Sequence, residues 1–171
     1  MGGIAVIDTS TVINIRVIGR YDIIERLKYS LCTTIYVVME LTSSKARPET
    51  REFFYKLVKA KKITHVQLSI EDLVEMSKVP NGSRISDAEL SCFVKAKTFG
   101  CKTFCDDRKA IKHAEKYITL GEIIGIKGII IEAYEQQLIS DHEVLYFQKL
   151  LNFLGDLLFE AAQARFMKSS S

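Results

Sequence analysis

This 171-residue chain is short of the residues that build zinc centres. Its three histidines, His65, His113 and His142, lie far in sequence from its four cysteines, Cys32, Cys92, Cys101 and Cys105, and no two cysteines form a CxxC pair. Zinc sites need those side chains at close spacing, so none is expected. Cys101 and Cys105 read as members of one strand, where four residues of rise separate them by roughly 13 Å, too far for a disulfide. Both are expected to be reduced core residues. No apolar stretch approaches the roughly 18 residues of a membrane span. The apolar run near the N-terminus is too short for a signal peptide and lacks its basic flank, so a cytoplasmic location is expected. Charge of one sign is scarce as well: a net charge of +3 does not by itself nominate nucleic acid as a partner. There is no internal repeat, and no low-complexity segment apart from the serines at the end of the chain.

What is present is the make-up of a folded protein, with 47% apolar and 26% charged residues. The length fits one domain, placed at residues 1–166, with residues 167–171 expected to be a disordered tail. Short β-branched runs alternate with longer helical periodicity. That alternation predicts an α/β fold, a three-layer α/β/α sandwich around a mostly parallel sheet of four or five strands. The strands are expected at Ile4–Ile7, Leu31–Ile35, Thr64–Leu68 and Lys102–Cys105, with a possible fifth at Tyr117–Thr119. Helices are expected over Thr11–Val17, Asp22–Tyr29, the stretch carrying Glu40, Pro48–Lys61, the segment capped by Ser69, Asp87–Phe99 and Arg108–Lys116. Ser86 reads as the N-cap and Gly100 as the terminator of the helix between them. Beyond Gly121 the pattern reads as helix throughout, forming extra C-terminal helices over about residues 121–166.

The first strand drives Asp8 out of its carboxyl end, the place where open α/β sheets bind their ligands. Asp8, Thr9 or Ser10 could equally cap the following helix. Other acids occupy comparable places: Glu40 in the first turns after the second strand, Asp87 at a helix N-terminus, and Asp106 with Asp107 after the fourth strand. If the strands are parallel, these carboxylates converge on one edge, and their mutual repulsion calls for a cation. An all-oxygen set points to a hard ion, Mg²⁺ or Mn²⁺, and to phosphate chemistry. Cationic side chains near that edge, Lys45, Arg47, Arg51, Arg84, Arg108, Lys109 and Lys112, are candidates for holding substrate phosphates or members of a solvated face. Arg84, Arg108 and Lys112 are the leading candidates, the last two sharing a helix face.

The segments IAVIDTSTVINI, VVMEL, ISDAELSCFVKAKTFG and KTFCDDRKAIKHA resemble, in order and spacing, the four acidic motifs of the PIN-domain ribonucleases over about residues 3–120. The resemblance implies a PIN-like fold and divalent-metal-dependent hydrolysis of RNA. It implies Asp8, Glu40, Asp87 and Asp107 as catalytic metal ligands, Asp106 as a cap or outer ligand, and Ser10 as the small polar residue bonded within the site. Cys105 departs from the pattern, standing where threonine is common. TLGEIIGIKGIIIEAYEQQLI is similar to the helical end of some prokaryotic members, which implies a VapC-type toxin, a cognate antitoxin and a homodimer. An RNA-processing or ribosome-maturation nuclease, and an inactive PIN-like scaffold that binds RNA or protein, are the alternatives. A haloacid-dehalogenase reading would want an aspartate where Ser10 stands, and a receiver-type phosphoacceptor would want paired acids near the first strand.

Overall fold

The computed structural model describes residues 2–151 except 81 and 83. The chain alternates strand and helix from its start: β1 (Gly3–Ile7), α1 (Thr9–Ile18), α2 (Asp22–Arg26), β2 (Tyr29–Thr34), α3 (Ile35–Thr42), α4 (Pro48–Lys59) and β3 (Ile63–Val66). It continues through α5 (Ile70–Ser77), α6 (Asp87–Phe99), β4 (Lys102–Phe104), α7 (Arg108–Ala114), β5 (Ile123–Ile124), α8 (Ile126–Glu135) and α9 (Asp141–Leu151).

The five strands form one sheet in the order β3-β2-β1-β4-β5, with every neighbouring pair parallel. β1 is central, and its Ala5, Val6 and Ile7 are completely buried. A strand covered on both faces must be apolar on both, and this run of consecutive apolar residues meets that demand. α6 packs on β1, β2 and β4 with α5 and α7 beside it, while α1 gathers α4, α8 and α9. Two apolar clusters reflect those layers, one centred on Phe54, Phe104 and Phe147, the other on Phe93, Val94 and Leu90.

Several polar groups inside these layers are paired. Lys95 of α6 reaches Asp72 of α5 at 2.8 Å, both buried, and Asp72 also accepts from the Ser69 N–H and the Thr98 hydroxyl. Ser69 and Asp72 make the reciprocal cap expected of them, and Ser86 with Glu89 makes another at the start of α6. Gly100 ends α6 at φ 61°, a left-handed value that favours glycine.

Several boundaries differ from the sequence expectation. The helix expected to run to Tyr29 stops at Arg26, because Lys28 turns the chain at φ 62° and Tyr29 already pairs with Gly3 in the sheet. The fifth strand lies at Ile123–Ile124, not at Tyr117–Thr119, so the region beyond Gly121 is not helical throughout. These two isoleucines pair with Thr103 and Phe104, a partnership that only the folded β4 edge offers. Cys101 and Cys105 flank β4 without sharing it; all four cysteines are free, with Cys101 only half-buried. The expected helix beyond Leu151 and the tail lie outside the described residues. Among those residues, no helix is long and apolar enough to cross a membrane.

Candidate active site at the carboxyl edge of the sheet

The chain runs outward from β1 through β2 to β3 on one side, then crosses over to β4 on the other side of β1, so the strand order reverses between β1 and β4. At such a reversal the loops part and leave a crevice beyond the strand ends, the usual ligand position in an open α/β sheet. Asp8 follows β1 directly, and Asp106 and Asp107 follow β4 one residue further on. The Asp8 N–H donates to the Phe104 carbonyl at 3.0 Å, which stitches the two strand ends together.

Asp8 is completely buried and plays both roles open to it in the sequence. It caps α1 by accepting from the Thr11 N–H at 2.9 Å, and the Ser10 hydroxyl lies 2.9 and 2.8 Å from its two oxygens. Ser10 is held in turn by the Asp106 N–H, 3.1 Å from its oxygen. The chain of donors therefore runs from Asp106 through Ser10 to Asp8. Burial pushes the Asp8 carboxyl up to about 6 from 3.8, against the lowering effect of the Thr11 N–H, the Cys105 thiol and the Ser10 hydroxyl. Cys105 is buried at the position where threonine is common in the resembling family, and its thiol acts to lower the Asp8 pKa. Burial and the Asp8 charge keep that thiol protonated.

The aspartates after β4 divide their work. Asp106 is tied on both oxygens: Oδ2 accepts from the Thr11 hydroxyl and the Asn14 amide at 2.9 Å each, and Oδ1 from the Ile126 N–H at 2.8 Å. It thereby joins the end of β4 to α1 and to the start of α8. Gly125 makes this approach possible, since a Cβ there would stand 2.3 Å from Asp106 Oδ1. Asp107 caps α7 through Oδ1, which accepts from the N–H groups of Lys109 and Ala110.

Glu40 is exposed on α3, and the Thr9 hydroxyl donates to it at 2.6 Å, which places it beside the residue after Asp8. Asp87, at the first position of α6, is exposed. The half-buried acid of this helix is Glu89. Its carboxyl is pushed up to about 7, first by burial and then by the charges of Asp107 and Asp8, with the Ser86 N–H acting in the opposite direction. The charges of Asp8 and Asp107 thus act on Glu89, whereas Asp87 is exposed. Glu89 carried a sequence signal, the S-x-x-E capping box that begins at Ser86, whose last member folds back over the helix start while the first helical residue points out.

An open depression of about 470 Å³ lies beside Asp106 and Asp107, lined also by Ser10, Arg108 and Lys109. Lys112 is exposed one turn further along α7, and Arg84 is exposed in the connection before α6. Among the described residues, no three His, Cys, Asp or Glu side chains form a ready-made metal cage. The donor set nevertheless suits a hard cation in its chemistry: all oxygen, with two carboxyls raised by burial and one of them also by neighbouring negative charge.

The family comparison matches residues 4–154 of this chain to DUF3368, described as a PIN domain. The chain belongs to the PIN-domain family. Members of this family are typically nucleases that bind Mg²⁺ or Mn²⁺. Among solved structures, this PIN domain is similar to the VapBC2 complex from Rickettsia felis bound to a DNA fragment from its promoter. The identity is 9%, the coverage 72% of this chain and 98% of the other, and the TM-score 0.49. No curated protein matches the chain.

Proposed function

We propose that this PIN domain is a divalent-metal-dependent endoribonuclease whose site is built from Asp8, Glu40, Glu89 and Asp107, with Ser10 positioning Asp8. The observation that carries the reading is the placement of Asp8 and Asp107 just beyond the carboxyl ends of the neighbouring strands β1 and β4, stitched by the Asp8 N–H to the Phe104 carbonyl, with their charges acting on Glu89. Such a group is costly without a counter-charge, and a cation supplies one. Glu89 then takes the ligand role that the sequence resemblance gives to Asp87.

Mg²⁺ or Mn²⁺ held by these residues would supply charge neutralisation at a phosphate and a lowered pKa for water. The chain's own groups supply position. Ser10, fixed by the Asp106 N–H, keeps the Asp8 carboxylate in one orientation. Arg108 and Lys109 bring positive charge to the lining of the depression, where the phosphates of an RNA strand can be neutralised. Asp106 has both oxygens committed to α1 and α8, so the reading gives it a supporting role and gives Asp107 the inner one.

Within this reading the protein acts as the toxin of a toxin-antitoxin pair, a homodimer held inactive by a cognate antitoxin. That reading rests on the resemblance of its helical end to prokaryotic members of the family.

Purified protein, separated from any partner, is expected to cleave a broad pool of RNA in Mn²⁺ or Mg²⁺ and to leave it intact in EDTA. RNA left intact in Mn²⁺ by folded protein would overturn the enzyme reading in favour of the binding scaffold. A short neighbouring gene for a small DNA-binding protein would favour the toxin role over RNA processing.

A further inference from the structure

A second cavity, of about 510 Å³, opens beside the acids and shares Glu40 and Thr9 with them. Its size falls within the roughly 300–1,000 Å³ of small-ligand pockets. Ile13, Leu41 and Ala46 give it an apolar lining, and Lys45 and Arg47 bring two positive charges to it. The connection from α3 to α4 that forms its wall is tied in place. The Ser43 hydroxyl donates to the Glu40 carbonyl at 3.0 Å, the Ala46 N–H donates to the Ser43 carbonyl at 3.1 Å, and the Arg51 guanidinium donates to that same carbonyl at 3.3 Å.

We propose that this cavity is a base subsite: it takes one unpaired base of a single-stranded RNA next to the phosphate at the carboxylates, while Lys45 and Arg47 hold the flanking backbone. The inference rests on the ribonuclease reading for its class of substrate. An apolar lining accepts the face of a base, an arginine plane can stack on it, and a base still paired in a duplex cannot leave its stack to enter. The continuity through Glu40 puts the base and the acids within one ligand. Charge complementarity favours a polyanion over a neutral partner.

The test is binding of a 5′-labelled octameric single-stranded RNA in EDTA, followed by fluorescence anisotropy, with abasic substitution at each position in turn. One position is expected to dominate, its abasic form binding the wild type roughly 5- to 100-fold more weakly. Ala46→Phe, which fills the cavity from a loop, is expected to weaken the parent octamer by a similar factor and to abolish the penalty at that position. Removing both cations in Lys45→Ala/Arg47→Ala should lower the slope of log K against log salt by about 1.4. Thermal melting checks that each variant is folded.

A flat abasic profile in the wild type, unchanged binding by Ala46→Phe, or equal competition by duplex RNA would overturn the inference. Divalent-dependent cleavage with a flat abasic profile would remove the subsite and keep the nuclease. A dominant position that Ala46→Phe erases, in a protein that does not cleave, would keep the subsite and remove the nuclease.

Discussion

Asp8→Asn is expected to abolish RNA cleavage and, without divalent ions, to make the protein more stable than the wild type at neutral pH. The two effects share a cause. A buried carboxyl raised to about 6 is ionised at pH 7 at the expense of the fold, and the move from 3.8 corresponds to roughly 3 kcal/mol. The sign follows from proton counting. Between about pH 4 and 6 the folded state binds this proton more tightly than the unfolded chain, so wild-type stability falls as pH rises through that window. Asparagine does not titrate, so the variant lacks this slope. Its amide oxygen can still accept from the Thr11 N–H and cap α1.

The amide group fits the position less well than a protonated carboxyl, so the net gain at pH 7 is roughly 1–3 kcal/mol, a rise of about 2–10 °C in Tm. Activity should fall by about 10²- to 10⁴-fold, the cost of losing several kcal/mol of transition-state stabilisation. Adding Mn²⁺ is expected to raise the Tm of the wild type and to leave that of the variant nearly unchanged. Melting at pH 5 and pH 7.5, with and without Mn²⁺, checks all of this. A variant less stable than the wild type in metal-free buffer at pH 7.5 would make Asp8 a cap that needs its charge.

Asp106→Ala is expected to damage the fold, and Asp107→Asn the activity. Removing the Asp106 carboxylate strands the Thr11 hydroxyl, the Asn14 amide and the Ile126 N–H, the last being the bond that seats α8. Losing a charged acceptor from donors that are buried (Thr11, Ile126) or half-buried (Asn14) costs roughly 2–4 kcal/mol, or about 5–15 °C in Tm for a chain of this length. Asp107→Asn keeps a side-chain oxygen for the α7 cap, so its stability should move by under about 1 kcal/mol while cleavage is lost. Urea unfolding of both variants beside a cleavage assay separates the roles. An Asp106→Ala protein that melts normally and fails to cleave would reverse the assignment of the pair.

Much of this was legible in the residues because the local and global demands agreed. The apolar run before Asp8 is what a central parallel strand must be, and Ser69, Ser86 and Gly100 sit where helix ends need them. The parts that were not legible depend on contacts far apart in sequence. Asp106 and Asp107 are adjacent and chemically identical, and only the fold puts Thr11 and Asn14 under the first of them. β5 is two residues long, and nothing local distinguishes Ile123–Ile124 from the start of the helix that follows. Tyr29 reads as the end of a helix until Lys28 takes a left-handed turn. Asp87 and Glu89 both lie in the first turn of α6, and the choice between them depends on which side of that helix faces the strand ends.

The central claim is that the acids at the ends of β1 and β4 hold one hard divalent cation between them. Anomalous diffraction from a crystal soaked in Mn²⁺ tests it most directly. A manganese peak bonded to carboxylate oxygens of Asp8 and Asp107 is expected, with Glu89 in its shell and Asp87 outside it. Manganese absent from that crevice at millimolar concentration, or held through Asp87 without Glu89, would contradict it.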